Sequence, residues 1–212
     1  MVFKFLSRRY GGGLQVSREI IEAVQAKLPS IIYFDESDYL RERTSDMDTL
    51  LQSIALLEPL YIMVDHEEQY EIASTLGYLY RVAGADDAQQ LTKAEQYFKE
   101  CLTYAINHQN VAKEITTLIR LGEVYKYGCR YDEACTRFHE VITICVTENN
   151  TMQLDFAHQH LGKCFIEMGK FAQAELQLLT ALKLREKKGN ESLINSTTKA
   201  LELLAKLERD VR

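Results

Sequence analysis

The sequence predicts an all-α fold of stacked antiparallel helix pairs, a solenoid, and three observations carry that expectation. One phrase is written three times: Leu76-Gly77 with Tyr80, Leu121-Gly122 with Tyr125, and Leu161-Gly162 with Phe165. Each copy is followed by an alanine and, four residues on, a large apolar residue: Ala94 and Phe98, Ala134 and Phe138, Ala174 and Leu178. Helix breakers are scarce, with only 2 prolines and 10 glycines in 212 residues. A chain that repeats a two-helix unit cannot close one compact core, so it buries each unit against the next and works by displaying surface.

Taken in order, residues 1–13 end in Gly11-Gly12-Gly13, show no periodicity and are expected to be a mobile tail. Their apolar run is too short for a signal-peptide core, although Phe3, Phe5 and Leu6 offer a route to self-association as a homo-oligomer. Residues 14–46 read as N-terminal helices. Val16, Ile20, Ile21, Val24 and Leu28 fall at helical spacing until Pro29, which is expected to stop the helix. A short second helix is expected over 36–42, carrying Tyr39 and Leu40, and Ser45 or Asp46 then caps a third over 47–64.

The repeat domain spans 47–212. It comprises a degenerate unit at 34–66 that overlaps the preceding segment, repeats at about 67–108, 109–149 and 150–189, and a closing helix at 191–209. Leu121 and Leu161 stand 40 residues apart, whereas Leu76 and Leu121 stand 45 apart; the additional five fall between Tyr80 and Ala94, where a loop insertion is cheapest. Leu201 restarts the phrase, but Glu202 replaces the glycine, as suits a terminal helix with a polar outer face. Glycine inside a helix costs about 1 kcal/mol relative to alanine. Its recurrence at one register therefore implies close packing, with Gly77, Gly122 and Gly162 expected to face Ala94, Ala134 and Ala174. Leucine and aromatic lie on one helical face and should be buried.

These residues resemble the tetratricopeptide repeat (TPR) family: Leu-Gly, an aromatic three residues later, Gly84 or Gly169 at the turn, Tyr131 or Phe171 beyond it, then Ala and Phe. The longer period of about 40 residues is similar to the subgroup of kinesin light chains, polarity and spindle adaptors, and peptide-sensing bacterial regulators. The resemblance implies a right-handed α-α superhelix whose concave groove, lined by first helices, holds a peptide or a partner helix. Carried across residue by residue, the groove positions are Thr75, Tyr78 and Arg81, then Arg120, Glu123 and Tyr127, then Gln159, His160, Lys163 and Glu167. One TPR subset grips chaperone tails with Lys, Asn, Asn, Lys and Arg. The matching sites here are Ser74, Tyr78, Glu123, Phe156 and His160, which do not fit, and Glu123 would repel a carboxylate.

A net charge of −6 argues against general nucleic-acid binding, which rests on a basic face. No stretch approaches the ~18 uncharged apolar residues of a membrane span. Five cysteines, an odd number without close pairing, read as reduced thiols in a cytoplasmic protein. Cys101, Cys145 and Cys164 occupy positions that are apolar in sister repeats, which suits packing. His158 and His160 are two residues apart and point to different sides of a helix, so no metal site is expected. No phosphate loop, nucleophile elbow or zinc-protease helix appears, leaving no catalytic constellation and no cofactor motif. The chain reads as a non-enzymatic scaffold or adaptor that binds a protein or peptide. The alternatives are a peptide-sensing regulatory protein and a non-catalytic helical subunit of an enzyme complex.

Overall fold

A computed structural model describes residues 13–148 and 152–211, with side chains described over 17–148 and 152–210. The expected tail and its apolar residues thus lie outside the described residues, except Gly13, which opens the first helix. In order come α1 (Gly13–Ile31), the strands β1 (Ile32–Asp35) and β2 (Arg41–Thr44), α2 (Met47–Tyr61) and α3 (His66–Ala83). A 3₁₀ turn (Gly84–Asp86) follows, then α4 (Ala88–Asn107), α5 (Val111–Tyr127), α6 (Tyr131–Thr147), α7 (Leu154–Glu167), α8 (Phe171–Lys188) and α9 (Glu191–Val211).

Two N-terminal expectations need correction. Pro29 lies inside α1, which runs two residues further; in a last turn proline forfeits only its own N–H bond. Residues 36–42 are not helical. Residues 36–40 form the turn of the β1–β2 hairpin and Arg41 and Glu42 open β2, because Asp35 Oδ1 accepts from the backbone and hydroxyl of Ser37 at 2.8 and 2.6 Å, and Asp35 O accepts from Leu40 N at 2.8 Å. Tyr39 and Leu40 then take left-handed φ values of 53° and 57°, which an α-helix does not admit.

The chain divides into two compact units, Met1–Tyr33 with Glu42–Tyr104, and Phe34–Arg41 with Ala105–Arg212. In the first, Asp46 caps α2 through Thr49 N, and Asp65 caps α3 through Glu67 N and Glu68 N. Leu50, Leu57, Ile72, Leu76 and Leu79 form a fully buried seam where α2 packs on α3, and α1 packs on both. A tyrosine cluster extends this core: the rings of Tyr61 and Tyr97 meet edge-on at 5.4 Å and those of Tyr80 and Tyr97 stack at 5.8 Å. The five-residue insertion is accommodated by the 3₁₀ turn after α3.

In the second unit each helix from α5 to α9 packs on the next, and α7 also touches α5 and α9. The turn between α5 and α6 and the turn between α7 and α8 close alike: Arg130 N reaches Tyr125 O at 2.8 Å, and Lys170 N reaches Phe165 O at 2.9 Å. Both need a left-handed residue, Gly169 at φ 68° in one and Cys129 at φ 57° in the other. The phrase residues are buried, as are Ala134, Ala157, Ala174 and Ala181, each without exposed surface. The glycines differ from expectation in their partner. A methyl added at Gly77 would lie 2.8 Å from Phe98 Cζ, one at Gly122 would drive into the ring of Phe138, and one at Gly162 would lie 2.8 Å from Leu178 Cγ. Each glycine is therefore the notch for the large residue one turn beyond the alanine, and at Gly162 the added methyl would also lie 3.3 Å from Ala174 O.

Candidate functional site

The residues expected to line a groove are placed by two separate sets of contacts. In the first unit Thr75, Tyr78 and Arg81 sit on α3. Gln25 Nε2 on α1 donates to Thr75 Oγ1 at 3.1 Å, and Ser17 Oγ on the same helix donates to Glu68 Oε2 at 2.7 Å. Tyr78 Oη donates to Glu42 Oε1 at 3.1 Å, while Arg81, fully buried, pairs with the other oxygen of that carboxylate and lies over the Tyr78 ring. This face of α3 is thus engaged by α1 and β2.

In the second unit the other seven converge on the contact between α5, α7 and the hairpin tip. Lys163 Nζ donates to Leu40 O at 2.5 Å and lies 5.6 Å from the Phe34 ring. Glu167, its side chain wholly buried, receives Arg41 Nη2 at 2.5 Å and lies 3.4 Å from Lys126 Nζ. Arg41 also donates to the carbonyls of Lys126 and Tyr127 and lies 5.1 Å over the Tyr127 ring, so the tip is clasped by charge-assisted bonds. Glu123 pairs with Arg120 at 3.3 Å and has His160 Nδ1 at 3.5 Å. The His160 ring stacks on Phe138, and burial pushes its pKa down to about 3: the Glu123 carboxylate favours the charged form, while Lys126, Lys163 and Arg120 oppose it.

Beside this clasp lies a cavity of about 530 Å³. The tip contributes Phe34, Glu36 and Leu40, α7 contributes Gln159 and Lys163, and α9 contributes Ser192, Asn195, Ser196 and Lys199. Gln159 is buried; its Nε2 makes a long contact of 3.5 Å to Ser196 O, and its Oε1 has no hydrogen-bond partner. Among the described residues no group of three or more His, Cys, Asp and Glu is placed to hold a metal ion, and no helix is long and apolar enough to cross a membrane.

Residues 113–187 match the tetratricopeptide repeat family model. That stretch, from α5 to α8, carries tetratricopeptide repeats. No curated protein matches it by sequence. Among solved structures, the apo form of RapI superposes with a TM-score of 0.64 at 14% identity, covering 91% of this chain and 64% of RapI. This chain therefore spans less than two thirds of RapI. A Podosopora anserina chain named for kinesin light chain, with nearly identical TPR-like repeats, gives a TM-score of 0.58 at 11% identity, covering 92% and 96% of the two chains. BtubC (BKLC) from P. vanneervenii gives 0.54 at 15%, covering 92% and 85%. At these identities the likeness is one of fold, the all-α superhelical repeat.

The TPR-like fold generally mediates protein–protein interactions. In this chain the repeat register places Gln159 and Lys163 on the cavity wall, whereas Glu123, Tyr127 and Glu167 are committed to internal pairs. The hairpin tip and the α9 residues are not found by the repeat register, which extends only to positions written in each unit. Two signals for the hairpin are nonetheless present: Ile31-Ile32-Tyr33-Phe34 is a β-branched and aromatic run, and Asp35-Glu36-Ser37-Asp38 is a cluster of turn formers.

Proposed function

We propose that this TPR chain is a protein or peptide interaction module, and that it takes a short acidic segment of its partner in the cavity bounded by the hairpin tip, α7 and α9. The observation that carries this reading is Gln159, buried on the cavity wall with an unpartnered Oε1. An unsatisfied buried acceptor costs about 1–3 kcal/mol, and an incoming backbone N–H relieves it once the Gln159 amide turns toward the cavity. Ser192, Asn195 and Ser196 supply further polar groups, suited to the amides of an extended peptide. Lys163 and Lys199 against the single acid Glu36 leave the lining net positive, which favours a segment bearing Asp, Glu or a terminal carboxylate. Such a module needs neither cofactor nor catalysis, and its five thiols, none in a disulfide, suit a cytoplasmic setting.

The test is a peptide-display selection against the full chain, followed by fluorescence anisotropy on the enriched peptides. Acidic peptides should be enriched, and Lys199→Glu should weaken them at least tenfold, about 1.4 kcal/mol. Asn195→Trp, which fills the cavity from an exposed position of α9, should abolish binding. Equal affinity for both variants and the parent would move the binding surface elsewhere.

A further inference from the structure

Cys135 on α6 and Cys164 on α7 bring their sulfurs within 3.7 Å of one another. The two thiols have unlike surroundings. Cys135 is half-buried, one turn into its helix, whereas Cys164 has no exposed surface and also lies 3.9 Å from Tyr131 O. A disulfide requires an S–S distance of about 2.05 Å, so closure needs less than 2 Å of sulfur movement, within reach of side-chain rotation. Of the other three cysteines, Cys101 and Cys145 are buried and Cys129 is exposed in a turn.

We infer that Cys135 and Cys164 form a reversible peroxide-responsive dithiol, in which Cys135 meets the oxidant and Cys164 resolves it. The thiolate is the reactive form of cysteine. Contact with the Cys164 sulfur holds the Cys135 pKa below the usual thiol value, with Lys170 adding to the effect, while the same contact and burial push Cys164 up. Thiolate character thus falls to the sulfur that exposure also selects. The Cys135 thiolate attacks one oxygen of hydrogen peroxide; the O–O bond breaks, and the departing hydroxide takes a proton and leaves as water. Cys164 then gives up its proton, and its sulfur attacks the Cys135 sulfenic acid. The S–O bond breaks and a second water leaves. Two thiols and one peroxide become one disulfide and two waters, and a small-molecule dithiol returns the two electrons. The bond ties the second helix of one repeat to the first helix of the next, beside Lys163. Its formation does not depend on the reading of the cavity.

The full chain, reduced and then freed of reductant, is treated with equimolar hydrogen peroxide, alkylated and digested with trypsin. Mass spectrometry should find peptide 131–137 linked to peptide 164–170 with the loss of two hydrogens. Thiols titratable after unfolding should fall from five to three, and dithiothreitol should restore all five. In Cys164→Ala, Cys135 should stop at the sulfenic acid and take up dimedone at least tenfold more than the parent chain. The mapping needs no variant, so misfolding of Cys164→Ala leaves the test intact. Oxidation of Cys135 to sulfinic acid without the cross-link overturns the proposal. So does oxidation confined to Cys129 with Cys135 and Cys164 both recovered as free thiols.

Discussion

His160 puts a titratable ring where the fold tolerates only its neutral form. Its side chain is 18% exposed, stacked on Phe138 and surrounded by Arg120, Lys126 and Lys163 with the single acid Glu123. Its folded pKa of about 3 lies below the unfolded value of about 6.5. Between these values the unfolded chain binds the proton and the folded chain does not. Stability contributed by the neutral ring is therefore complete above pH 6.5 and is lost as pH falls toward 3. The slope is at most about 1.4 kcal/mol per pH unit. Urea midpoints from pH 7 to pH 4.5 should fall more steeply for the parent chain than for His160→Gln, and parallel curves would remove His160 as the cause.

Helices α7, α8 and α9 are joined by one buried ion cluster that no repeat position encodes. Asp155, in the first turn of α7, pairs with Arg185 at 2.9 Å and Lys188 at 2.5 Å on α8. Arg185 carries the link to α9 through Thr197 Oγ1 at 2.8 Å and Leu193 O at 3.0 Å. Asp155 has no exposed surface and Arg185 is 2% exposed, so removing one partner strands the other in low dielectric. Asp155→Ala should cost about 3–5 kcal/mol in denaturant unfolding, and the double variant with Arg185→Met should recover much of it; a loss under about 1 kcal/mol for the single change would contradict the argument. The contrast with the repeats explains what is legible in the sequence. Leu121-Gly122-Tyr125 can be read because packing demands the same residue types in each unit. Gln159 and Lys163 reach the cavity wall by that register. Asp155, Arg185 and the hairpin tip depend on pairings between residues far apart in the chain, and such pairings leave no local period. Tyr39 and Leu40 mislead for a related reason: their spacing suits a helix, but the Asp35 turn bonds place both in the left-handed region.

For the molecule as a whole, the order in which contacts close matters. Most packing joins neighbouring helices, whose contacts are local and cheap to close. The clasp is different, since Arg41 and Glu167 are separated by 126 positions. Closing a loop of that length is an entropic cost paid before its contacts repay it. Arg41→Met should therefore act on the back reaction: unfolding about tenfold faster for a loss of about 1.4 kcal/mol, with the folding rate within about twofold. Stopped-flow tyrosine fluorescence can follow it, the chain having 12 tyrosines and no tryptophan. A matching drop in the folding rate would place the clasp in the transition state instead. On a ribosome the same separation becomes a waiting time. The hairpin tip is synthesised before α7, and Lys163 and Glu167 emerge only after some 120 further residues, so Phe34 and Leu40 stay uncovered by α7 throughout that interval.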